Sequence, residues 1–283
     1  MRDRVVLVTG ANHGIGAATA RAFAAQGAAV LIHYLSFPAP DLEADPEPGD
    51  DLMRLQRAAS GHELASSIVA QGGKAAAVEG DLSNPAFIPE LFDSAEALLG
   101  PVDVLVNNAA HGELETFVPD TQEHSNTFLD LRAGETVYRF SAEGHDQHFA
   151  VNSRAVALMM AEFARRFVAR GGQRGRIINV STDGAPAMPG EVSYAASKNA
   201  MESFSRSAAL ELGKFGITVN ILSPGPVQTG YITAELEDVL NSRIPLRRLG
   251  TPEDIADGIV FLASEQARWI SGVVLHVSGG NSI

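Results

Sequence analysis

The stretch that decides the fold is Thr9-Gly10-Ala11-Asn12-His13-Gly14-Ile15-Gly16, which directly follows the apolar run Val5–Val8. Glycine has no side chain, so the backbone of this turn can tighten and its N–H groups can approach a ligand closely. A segment that we predict to be helical, Gly14–Gln26, begins inside the turn. A glycine-rich turn between a strand and the positive end of a helix is suited to binding a pyrophosphate. We therefore predict an α/β fold that binds a dinucleotide.

Short apolar segments alternate with longer helical ones along the chain, which predicts a parallel sheet with right-handed crossovers. The expected fold is a single Rossmann domain over residues 1–283, a doubly wound seven-stranded parallel sheet with helices on both faces. The predicted strands are Arg4–Val8, Ala29–Tyr34, Ala75–Glu79, Val102–Val106, Arg176–Val180, Thr218–Leu222 and Val273–Val277. The predicted helices are Gly14–Gln26, His62–Gln71, Pro85–Leu99, His148–Arg170, Val192–Lys214 and Glu253–Ala263, with Ser83 and Thr251 as helix caps.

The composition excludes several classes of function. The 283 residues include no cysteine, which excludes disulfides, a thiolate nucleophile and a cysteine-ligated metal. The net charge of −13 argues against nucleic acid or an anionic membrane as a partner. No apolar run is long enough for a membrane span and none resembles a signal peptide, so we expect a cytoplasmic protein.

Two windows carry −12 of this charge. Asp41–Asp51 contains six acidic residues and no basic one, and Glu113–Asp146 contains eight acidic residues against two arginines. We interpret both windows as solvated surface segments. The first lies among prolines and a glycine that disfavour helix and strand alike, so we predict a loop there: Pro38, Pro40, Pro46, Pro48 and Gly49.

A candidate catalytic pair lies in Tyr194-Ala195-Ala196-Ser197-Lys198. Residues four apart share one face of a helix, so the phenol and the ammonium group are expected to be neighbours. A nearby positive charge favours the phenolate and moves the pKa of a tyrosine towards neutrality. Such a tyrosine can exchange a proton with the oxygen of a carbonyl or an alcohol.

Further motifs accompany this pair in a fixed order, and together they resemble the short-chain dehydrogenase/reductase family. Ser181 precedes Tyr194 by thirteen residues, and Asn152 lies in the preceding predicted helix. The G-x-x-x-G-x-G turn and two further motifs complete the resemblance, which covers Arg4 to Gly280: Asn107-Asn108-Ala109-Ala110 and Pro224-Gly225-Pro226-Val227-Gln228-Thr229.

The resemblance implies catalytic roles for Asn152, Ser181, Tyr194 and Lys198. Ser181 would hold and polarise the substrate oxygen, with Thr182 as the neighbouring candidate and Ser193 as a more distant one. Tyr194 would transfer the proton, and Lys198 would tune Tyr194 and hold the nicotinamide ribose. Asn152 would position a water molecule in a proton relay.

The resemblance also implies a set of dinucleotide contacts, among them Asp81 to the adenine and the Val227 backbone to the nicotinamide. No metal is expected, because His145-Asp146-Gln147-His148 is not a recognised metal-ligand spacing. The predicted cofactor-binding residues are Gly10, Asn12, His13, Gly14, Ile15, Gly16, Tyr34, Ser36, Asp81, Leu82, Asn108, Ala109, Tyr194, Lys198, Pro224, Gly225, Val227 and Thr229.

The end of the second predicted strand indicates which dinucleotide is used. Tyr34 stands where NAD-dependent relatives usually have an aspartate for the ribose 2′-hydroxyl, so we favour NADP(H) over NAD(H). Ser36 and His13 are candidates for binding the 2′-phosphate. NADP-dependent relatives often have arginine or lysine in the turn or after this strand, where this chain has His13 and Leu35.

The chain is longer than typical relatives by two insertions, predicted at about residues 36–58 and 112–147. The second follows a strand at the ligand-binding edge, so we hypothesise that Glu113–Asp146 lines the substrate pocket and disfavours anionic substrates. The resemblance also implies a homo-oligomer, a tetramer or a dimer, with the Tyr194 helix and the last strand at the contacts.

The predicted function is NADP(H)-dependent interconversion of a carbonyl and a secondary alcohol, similar to bacterial 3-oxoacyl-[acyl-carrier-protein] reductases and glucose 1-dehydrogenases. A sugar or polyol dehydrogenase is an alternative. A pteridine reductase is a further alternative, although that group has aspartate where this chain has Ser181. A dinucleotide-sensing regulator or a scaffold protein is the non-enzyme alternative, against which the filled catalytic positions argue.

Overall fold

The computed structural model describes residues 1–42, 45–119 and 136–281. Within these ranges, seven parallel strands form one sheet in the order β3-β2-β1-β4-β7-β8-β9, and β5 pairs with β6 in parallel beside it. The predicted doubly wound seven-stranded parallel sheet is confirmed. The strands are β1 Val5–Val8, β2 Ala29–Tyr34, β3 Lys74–Glu79, β4 Val104–Asn107, β5 Glu115–Thr116, β6 Tyr138–Arg139, β7 Gly175–Val180, β8 Ile217–Pro224 and β9 Val274–Val277.

Helices cover both faces of the sheet. A π-helical segment, Ala150–Ala155, joins α5 to α6, and a short 3-10 turn, Gly213–Phe215, follows α7. The α-helices are α1 Gly14–Ala25, α2 Asp50–Arg57, α3 Gly61–Ala70, α4 Phe87–Leu98, α5 Ala142–Phe149, α6 Val156–Ala169, α7 Val192–Leu212, α8 Ala234–Arg243 and α9 Pro252–Ala263.

Alternating side chains of the buried strands divide the core into two layers. In β1, Val6 and Val8 face the layer packed by α1, α3 and α9, whereas Val5 and Leu7 face the layer packed by α4, α6 and α7. This alternation follows from the pleat of a strand, which sends successive side chains to opposite faces. Burying such a side chain contributes about 1.5–3 kcal/mol. The central strands are therefore fixed by a packed core on both faces of the sheet.

Three helices were not predicted, and one predicted helix is interrupted. The window Asp41–Asp51 was predicted to be a loop, yet helix α2 begins at Asp50; Glu43 and Ala44 lie outside the described residues. The predicted helix His148–Arg170 is divided between α5, the π-helical segment and α6.

Two predicted helix caps have opposite outcomes. Thr251 caps α9 in a capping box, in which Thr251 Oγ1 accepts from Asp254 N at 3.2 Å and the Asp254 carboxylate accepts from Thr251 N at 2.8 Å. The prediction for Ser83 is wrong, because α4 begins later, at Phe87. The Ser83 hydroxyl instead donates to the Asp81 carboxylate at 2.6 Å.

The strand order reverses between β1 and β4, and the loops after the two strands diverge at their carboxyl ends. Open α/β sheets bind ligands at such a switch point. The glycine turn, Asn107, Ser181 and Gly225 all follow or end strands at this same edge. Within the described ranges, no helix is both long and apolar enough to cross a membrane.

Candidate active site

Two glycines in the turn after β1 are required by close packing. Gly10 has a φ of +61°, and a Cβ built on it would lie 2.8 Å from the Cα of Ala109. A Cβ on Gly16 would overlap the carbonyl oxygen of Gly10 and lie 2.7 Å from Asn108 Nδ2. Any larger residue would push the start of α1 away from the end of β4. The glycines therefore hold the helix N-terminus at the switch point.

A cavity of about 440 Å³ opens at this edge of the sheet. It extends from the turn across the ends of β2, β3 and β4 to Thr229. The structure brings together eleven of the predicted cofactor-binding residues in its lining, namely Gly10, Asn12, His13, Gly14, Ile15, Gly16, Asp81, Leu82, Asn108, Ala109 and Thr229.

The polar groups at the turn fit a dinucleotide phosphate. The first turn of α1, which the structure describes in full, contains no acidic residue that would repel an anion. His13 Nδ1 is buried and has no hydrogen-bond partner among the described residues. Burial lowers the pKa of His13 to about 4, so the imidazole is neutral. These features leave hydrogen-bonding capacity at the positive end of a helix, where a pyrophosphate binds.

Tyr34 and Ser36 lie away from the cavity. Tyr34 is 3% exposed, its ring packs on Gly61 of α3, and its hydroxyl lies 3.4 Å from Ser60 Oγ. The hydroxyl and the backbone N–H of Ser36 both donate to one carboxylate oxygen of Glu79. Strand alternation explains the result, because it directs the neighbours His33, Leu35 and Phe37 into the cavity instead.

Arg57 lines the cavity, although it was not among the predicted site residues. It lies in the last turn of α2, and its guanidinium carbon is 4.3 Å from the centre of the Phe37 ring. A signal for this helix exists in the sequence, since Asp50 and Asp51 begin it and Arg54 and Arg57 end it. Acidic residues at the start and basic residues at the end are typical of a helix.

Other cavity residues were also missed because they neighbour predicted positions without belonging to a motif. His111 and Val151 lie beside the N-N-A motif and Asn152, and Gln147 lies in α5. The full set of unpredicted lining residues is His33, Leu35, Phe37, Arg57, Gly80, Ser83, Ala110, His111, Gln147 and Val151.

Tyr194 and Lys198 lie one turn apart in α7. Lys198 is 3% exposed, and its ammonium nitrogen lies 5.8 Å from the centre of the Tyr194 ring. That nitrogen donates a hydrogen bond to the carbonyl of Val180, at the end of β7, at 2.8 Å. Burial lowers the pKa of Lys198 to about 8, against the raising effect of Glu202. The ammonium is therefore held at the sheet edge, close to its titration point.

The pKa of Tyr194 is shifted in the direction opposite to the one expected from the sequence. Burial raises the pKa of its phenol, and the charges of Glu191, Tyr231 and Asp183 raise it further. Desolvation penalises the charged phenolate and is the largest cause of this shift. Tyr194 is accordingly a proton donor at neutral pH.

The three hydroxyl groups considered for the substrate oxygen are placed differently. Ser181 is 4% exposed and donates to a carboxylate oxygen of Glu202 at 2.7 Å. Ser193 is buried and donates to the carboxylate of Glu115. Thr182 is partly exposed, and its oxygen accepts from the N–H of Gly184 at 3.3 Å. Its hydroxyl hydrogen has no acceptor within the part of the chain that the structure describes.

Asn152 lies in the π-helical segment and is fully buried. Its side-chain oxygen accepts from the N–H of His111 at 2.8 Å, and its Nδ2 donates to the carbonyl of His111 at 2.8 Å. Nδ2 also donates to Ser197 Oγ, in α7, at 3.0 Å. Asn152 thus fixes the segment after β4, in which a Cβ on Gly112 would lie 3.5 Å from the Tyr194 ring.

The P-G-x-V-x-T motif follows β8 on the other side of the opening. A Cβ on Gly225 would lie 2.8 Å from the side chain of Ser278, so glycine is needed for this close approach. Val227 is buried and forms a β-bridge with Gly250. Pro224, Gly225 and Val227 do not line the cavity, whereas Thr229 lies against Gly14 of the turn.

The histidines of the segment His145–His148 are engaged with nearby groups. His145 Nδ1 lies 2.9 Å from the Asp146 carboxylate, while His148 Nδ1 donates to the carbonyl of Gly144 at 2.7 Å. Among the described residues, no group of three or more side chains is arranged to hold a metal ion.

Comparison with known proteins places this geometry in a family. A family model described as enoyl-(acyl carrier protein) reductase matches residues 47–282, and one described as short chain dehydrogenase matches residues 4–41. Uncharacterized oxidoreductase YjdA of Bacillus subtilis (strain 168) is 33% identical over 283 residues, covering 99% of this chain and 97% of that protein. The chain belongs to the short-chain dehydrogenase/reductase family.

This short-chain dehydrogenase/reductase has other relatives over its full length. The NADPH-dependent aldehyde reductase-like protein, chloroplastic, of Arabidopsis thaliana is 32% identical over 286 residues, covering 99% of this chain and 94% of that protein. A short-chain dehydrogenase/reductase from Serratia marcescens superposes with a TM-score of 0.77 at 29% identity, covering 100% and 99% of the two chains. The protein is thus an oxidoreductase that acts on a CH–OH or C=O group.

Proposed function

We propose that this enzyme reduces a carbonyl group to a secondary alcohol with NADP(H), as 3-oxoacyl reductases do, and catalyses alcohol oxidation in reverse. The observation that carries the proposal is the protonated phenol of Tyr194, a partly buried residue, beside the buried ammonium of Lys198. A proton donor at this place matches the need of an oxygen that gains negative charge during reduction.

The residues of the chain divide the work in the proposed mechanism. When bound, the dinucleotide supplies or accepts the hydride. The hydroxyl of Ser181 or of its neighbour Thr182 holds the substrate oxygen, and Tyr194 donates its proton to that oxygen. Lys198 stabilises the phenolate that Tyr194 becomes and, in this proposal, holds the nicotinamide ribose. Asn152 keeps the segment after β4 against the Tyr194 ring.

A preference for NADP(H) over NAD(H) is part of the proposal. Leu35 and Phe37 occupy the cavity wall after β2, where an acidic residue would repel a 2′-phosphate. The Arabidopsis relative is named as NADPH-dependent, which agrees with this preference. Phosphate binding at the turn is supported by the close packing of the glycines, which places the start of α1 there. It is also supported by the buried His13 Nδ1, which has no partner among the described residues.

We also propose that the predicted second insertion borders the substrate pocket. Glu115 N donates to the carbonyl of Gly190 at 2.8 Å, four residues before Tyr194. The Glu115 side chain is buried and accepts from Ser141 N at 3.1 Å and from the Ser193 hydroxyl. Residues 120–135 of this window lie outside the described ranges.

A homo-oligomer, tetramer or dimer, is proposed on the same family grounds, with α7 and β9 at its contacts. Large apolar side chains are exposed near both elements, including Phe204 in α7 and Trp269 before β9, which is 96% exposed. Light scattering on the purified enzyme tests this proposal, and a monomer at micromolar concentration contradicts it.

The reaction is tested with a panel of ketones, aldehydes, 3-oxoacyl thioesters, sugars and polyols, each assayed with NADPH and NADH or their oxidised forms. Nicotinamide absorbance reports the direction, cofactor and substrate class. We expect carbonyl reduction with NADPH to be fastest, and Tyr194→Phe to abolish it while leaving NADPH binding intact. Full turnover by Tyr194→Phe would disprove the assigned mechanism, and faster oxidation of sugars would favour the dehydrogenase alternative.

A further inference from the structure

We infer that Arg57 binds the 2′-phosphate of NADP(H), and that helix α2 of the predicted insertion 36–58 thereby sets the choice of dinucleotide. The sequence has Leu35, not arginine or lysine, directly after β2. The positive charge that NADP-dependent relatives carry after this strand is supplied here by Arg57, which belongs to helix α2. The inference rests on the proposed preference for NADP(H) and names the residue responsible for it.

The end of α2 is attached to the dinucleotide turn. Asn12, within the turn, donates from Nδ2 to the carbonyl of Ala59 at 2.9 Å and to that of Arg57 at 3.4 Å. The backbone N–H of Phe37 also donates to the Arg57 carbonyl, at 3.3 Å. These bonds place the Cα of Arg57 between the turn and the chain that leaves β2. That position corresponds to the adenosine side of the cavity.

The Arg57 side chain is oriented for an anion. Its guanidinium carbon lies 4.3 Å from the centre of the Phe37 ring, and both residues line the cavity. A guanidinium over an aromatic ring is held by a cation–π contact and keeps its N–H groups free at the edge. Among the residues that the structure describes, no carboxylate lies within 4 Å of it. An arginine remains protonated in proteins, so the cavity wall carries a positive charge. The carboxylates of Glu113 and Asp50 act on this charge, but neither forms an ion pair with it.

The acidity of the surrounding segment does not cancel this charge. Asp50 and Asp51 lie in the first turn of α2, whereas Arg57 lies in its last turn. A helix of this length separates its ends by about 10 Å. The helix therefore places its basic end at the cavity, and Asp50 acts on Arg57 only from the opposite end of the helix.

A second group supports a phosphate at this place. His13 lines the same cavity and its buried Nδ1 lacks a partner among the described residues. The charge of Arg57 lowers the pKa of His13, after burial itself. A phosphate group can accept hydrogen bonds from a guanidinium and an imidazole together.

Titration calorimetry with NADP⁺ and with NAD⁺ tests the inference on the full-length enzyme. In Arg57→Gln we expect NADP⁺ to bind about 10- to 100-fold more weakly, the usual loss for a charge-assisted hydrogen bond, with NAD⁺ changed less than about twofold. Arg57→Lys keeps the positive charge but not the paired N–H groups of the guanidinium, so its affinity for NADP⁺ should fall less than that of Arg57→Gln. Arg54→Gln is the matched control, because Arg54 is exposed on the same helix and does not line the cavity.

The outcomes separate this inference from the proposed function. If the wild-type enzyme prefers NADP⁺ and Arg57→Gln prefers it equally, the inference is wrong and the proposed function stands. Equal weakening of both dinucleotides would place Arg57 on the shared pyrophosphate and also overturn the inference. A wild-type enzyme without preference would overturn the proposed cofactor itself. Circular dichroism and melting temperature establish that each variant is folded before it is titrated.

Discussion

At the scale of single residues, Ser181 and Thr182 are the competing candidates for holding the substrate oxygen. A hydroxyl has one hydrogen, and Ser181 already donates its hydrogen to the Glu202 carboxylate at 2.7 Å. To polarise a substrate it would have to give up a charge-assisted hydrogen bond, which is among the stronger ones. Thr182 retains its hydrogen and is partly exposed. The neighbour that the sequence ranked second is therefore better placed in the free enzyme.

Two substitutions distinguish the roles of Ser181 and Thr182. Thr182→Val keeps the shape of the side chain and removes the donor, so we expect kcat/KM to fall about 100-fold, as for an oxyanion-hole donor. Ser181→Ala should cost less in rate and should raise the pKa of Lys198, because the Glu202 carboxylate loses a donor. Steady-state kinetics across pH measures both effects. If Ser181→Ala loses more activity than Thr182→Val, then Ser181 is the residue that holds the substrate oxygen.

The pKa of Lys198 predicts how the reaction depends on pH. Burial lowers that pKa to about 8, so the ammonium is lost as the pH rises through 8. Because the ammonium stabilises the phenolate, kcat/KM for reduction should be level below pH 8 and fall about tenfold per unit above it. Lys198→Arg keeps its charge at higher pH, so the alkaline fall in kcat/KM should shift to higher pH in this variant, even if its maximal rate is lower. An unchanged alkaline limb in that variant would contradict the assignment.

At the scale of elements, the π-helical segment Ala150–Ala155 is the device that joins two parts of the active site. A π-helical turn adds one residue and so changes the direction of the side chains within it. Here it directs Asn152 to the backbone of His111 and to Ser197 of α7 at the same time. The loop after β4 and the catalytic helix are thereby held in one arrangement.

Asn152→Ala should loosen this junction. Three hydrogen bonds are lost and two backbone groups of His111 stay buried, so we expect a destabilisation of about 1–3 kcal/mol and a clear fall in kcat. Faster hydrogen exchange at the His111 amide distinguishes loss of positioning from general destabilisation. Ser153→Ala, at the next and equally buried position, is the control. Unchanged exchange at His111 would show that Asn152 does not hold the loop.

The elements that sequence analysis missed share a physical feature. All eight residues of α2 are described and none is buried, while α5 and α8 bury only His148 and Leu236. Helix prediction depends on a long apolar stripe, whereas these helices have only eight to ten residues and bury almost none of their side chains. The central strands β1 and β4, in contrast, are buried on both faces, and their sequences are apolar runs such as Val5–Val8. Elements that build the core were predictable, and elements that border the site were not.

The same distinction applies to the site. The closeness of Tyr194 and Lys198 and the position of the turn glycines were predictable, because both depend on a fixed local spacing in the sequence. Arg57 reaches the cavity only because Asn12 and Phe37 bind the end of α2, a contact between distant parts of the chain. The pKa of Tyr194 depends on burial, which spacing does not reveal.

At the scale of the whole molecule, buried histidines make stability depend on pH. His33 is fully enclosed in β2, and burial lowers its pKa to about 4, against a hydrogen bond to the Gly80 carbonyl that raises it. The unfolded chain takes up this proton near pH 6.5. Between pH 6.5 and 4 the unfolded state therefore binds more protons, and stability is lost as the pH falls.

The size of this effect can be measured with urea unfolding. Between pH 7 and pH 5, His33 should account for about 2 kcal/mol of the loss in unfolding free energy. His33→Gln keeps a donor for Gly80 without the titration and should show a correspondingly smaller loss. His62→Gln, at an exposed position, should behave like the wild type. Equal pH dependence in all three proteins would contradict the role of His33.

The buried contact between Glu115 and Ser193 limits how this enzyme can exchange parts with its relatives. Ser193 directly precedes Tyr194, the proposed proton donor, and Glu115 belongs to the acidic window after β4. A graft that replaces the window alone would remove the acceptor of one buried hydroxyl. A graft that replaces the tyrosine motif alone would leave one oxygen of a buried carboxylate without its donor, because Ser141 N binds only the other oxygen, and this is the more costly error. The two positions must be transplanted together, so new substrate specificity is reached through paired changes.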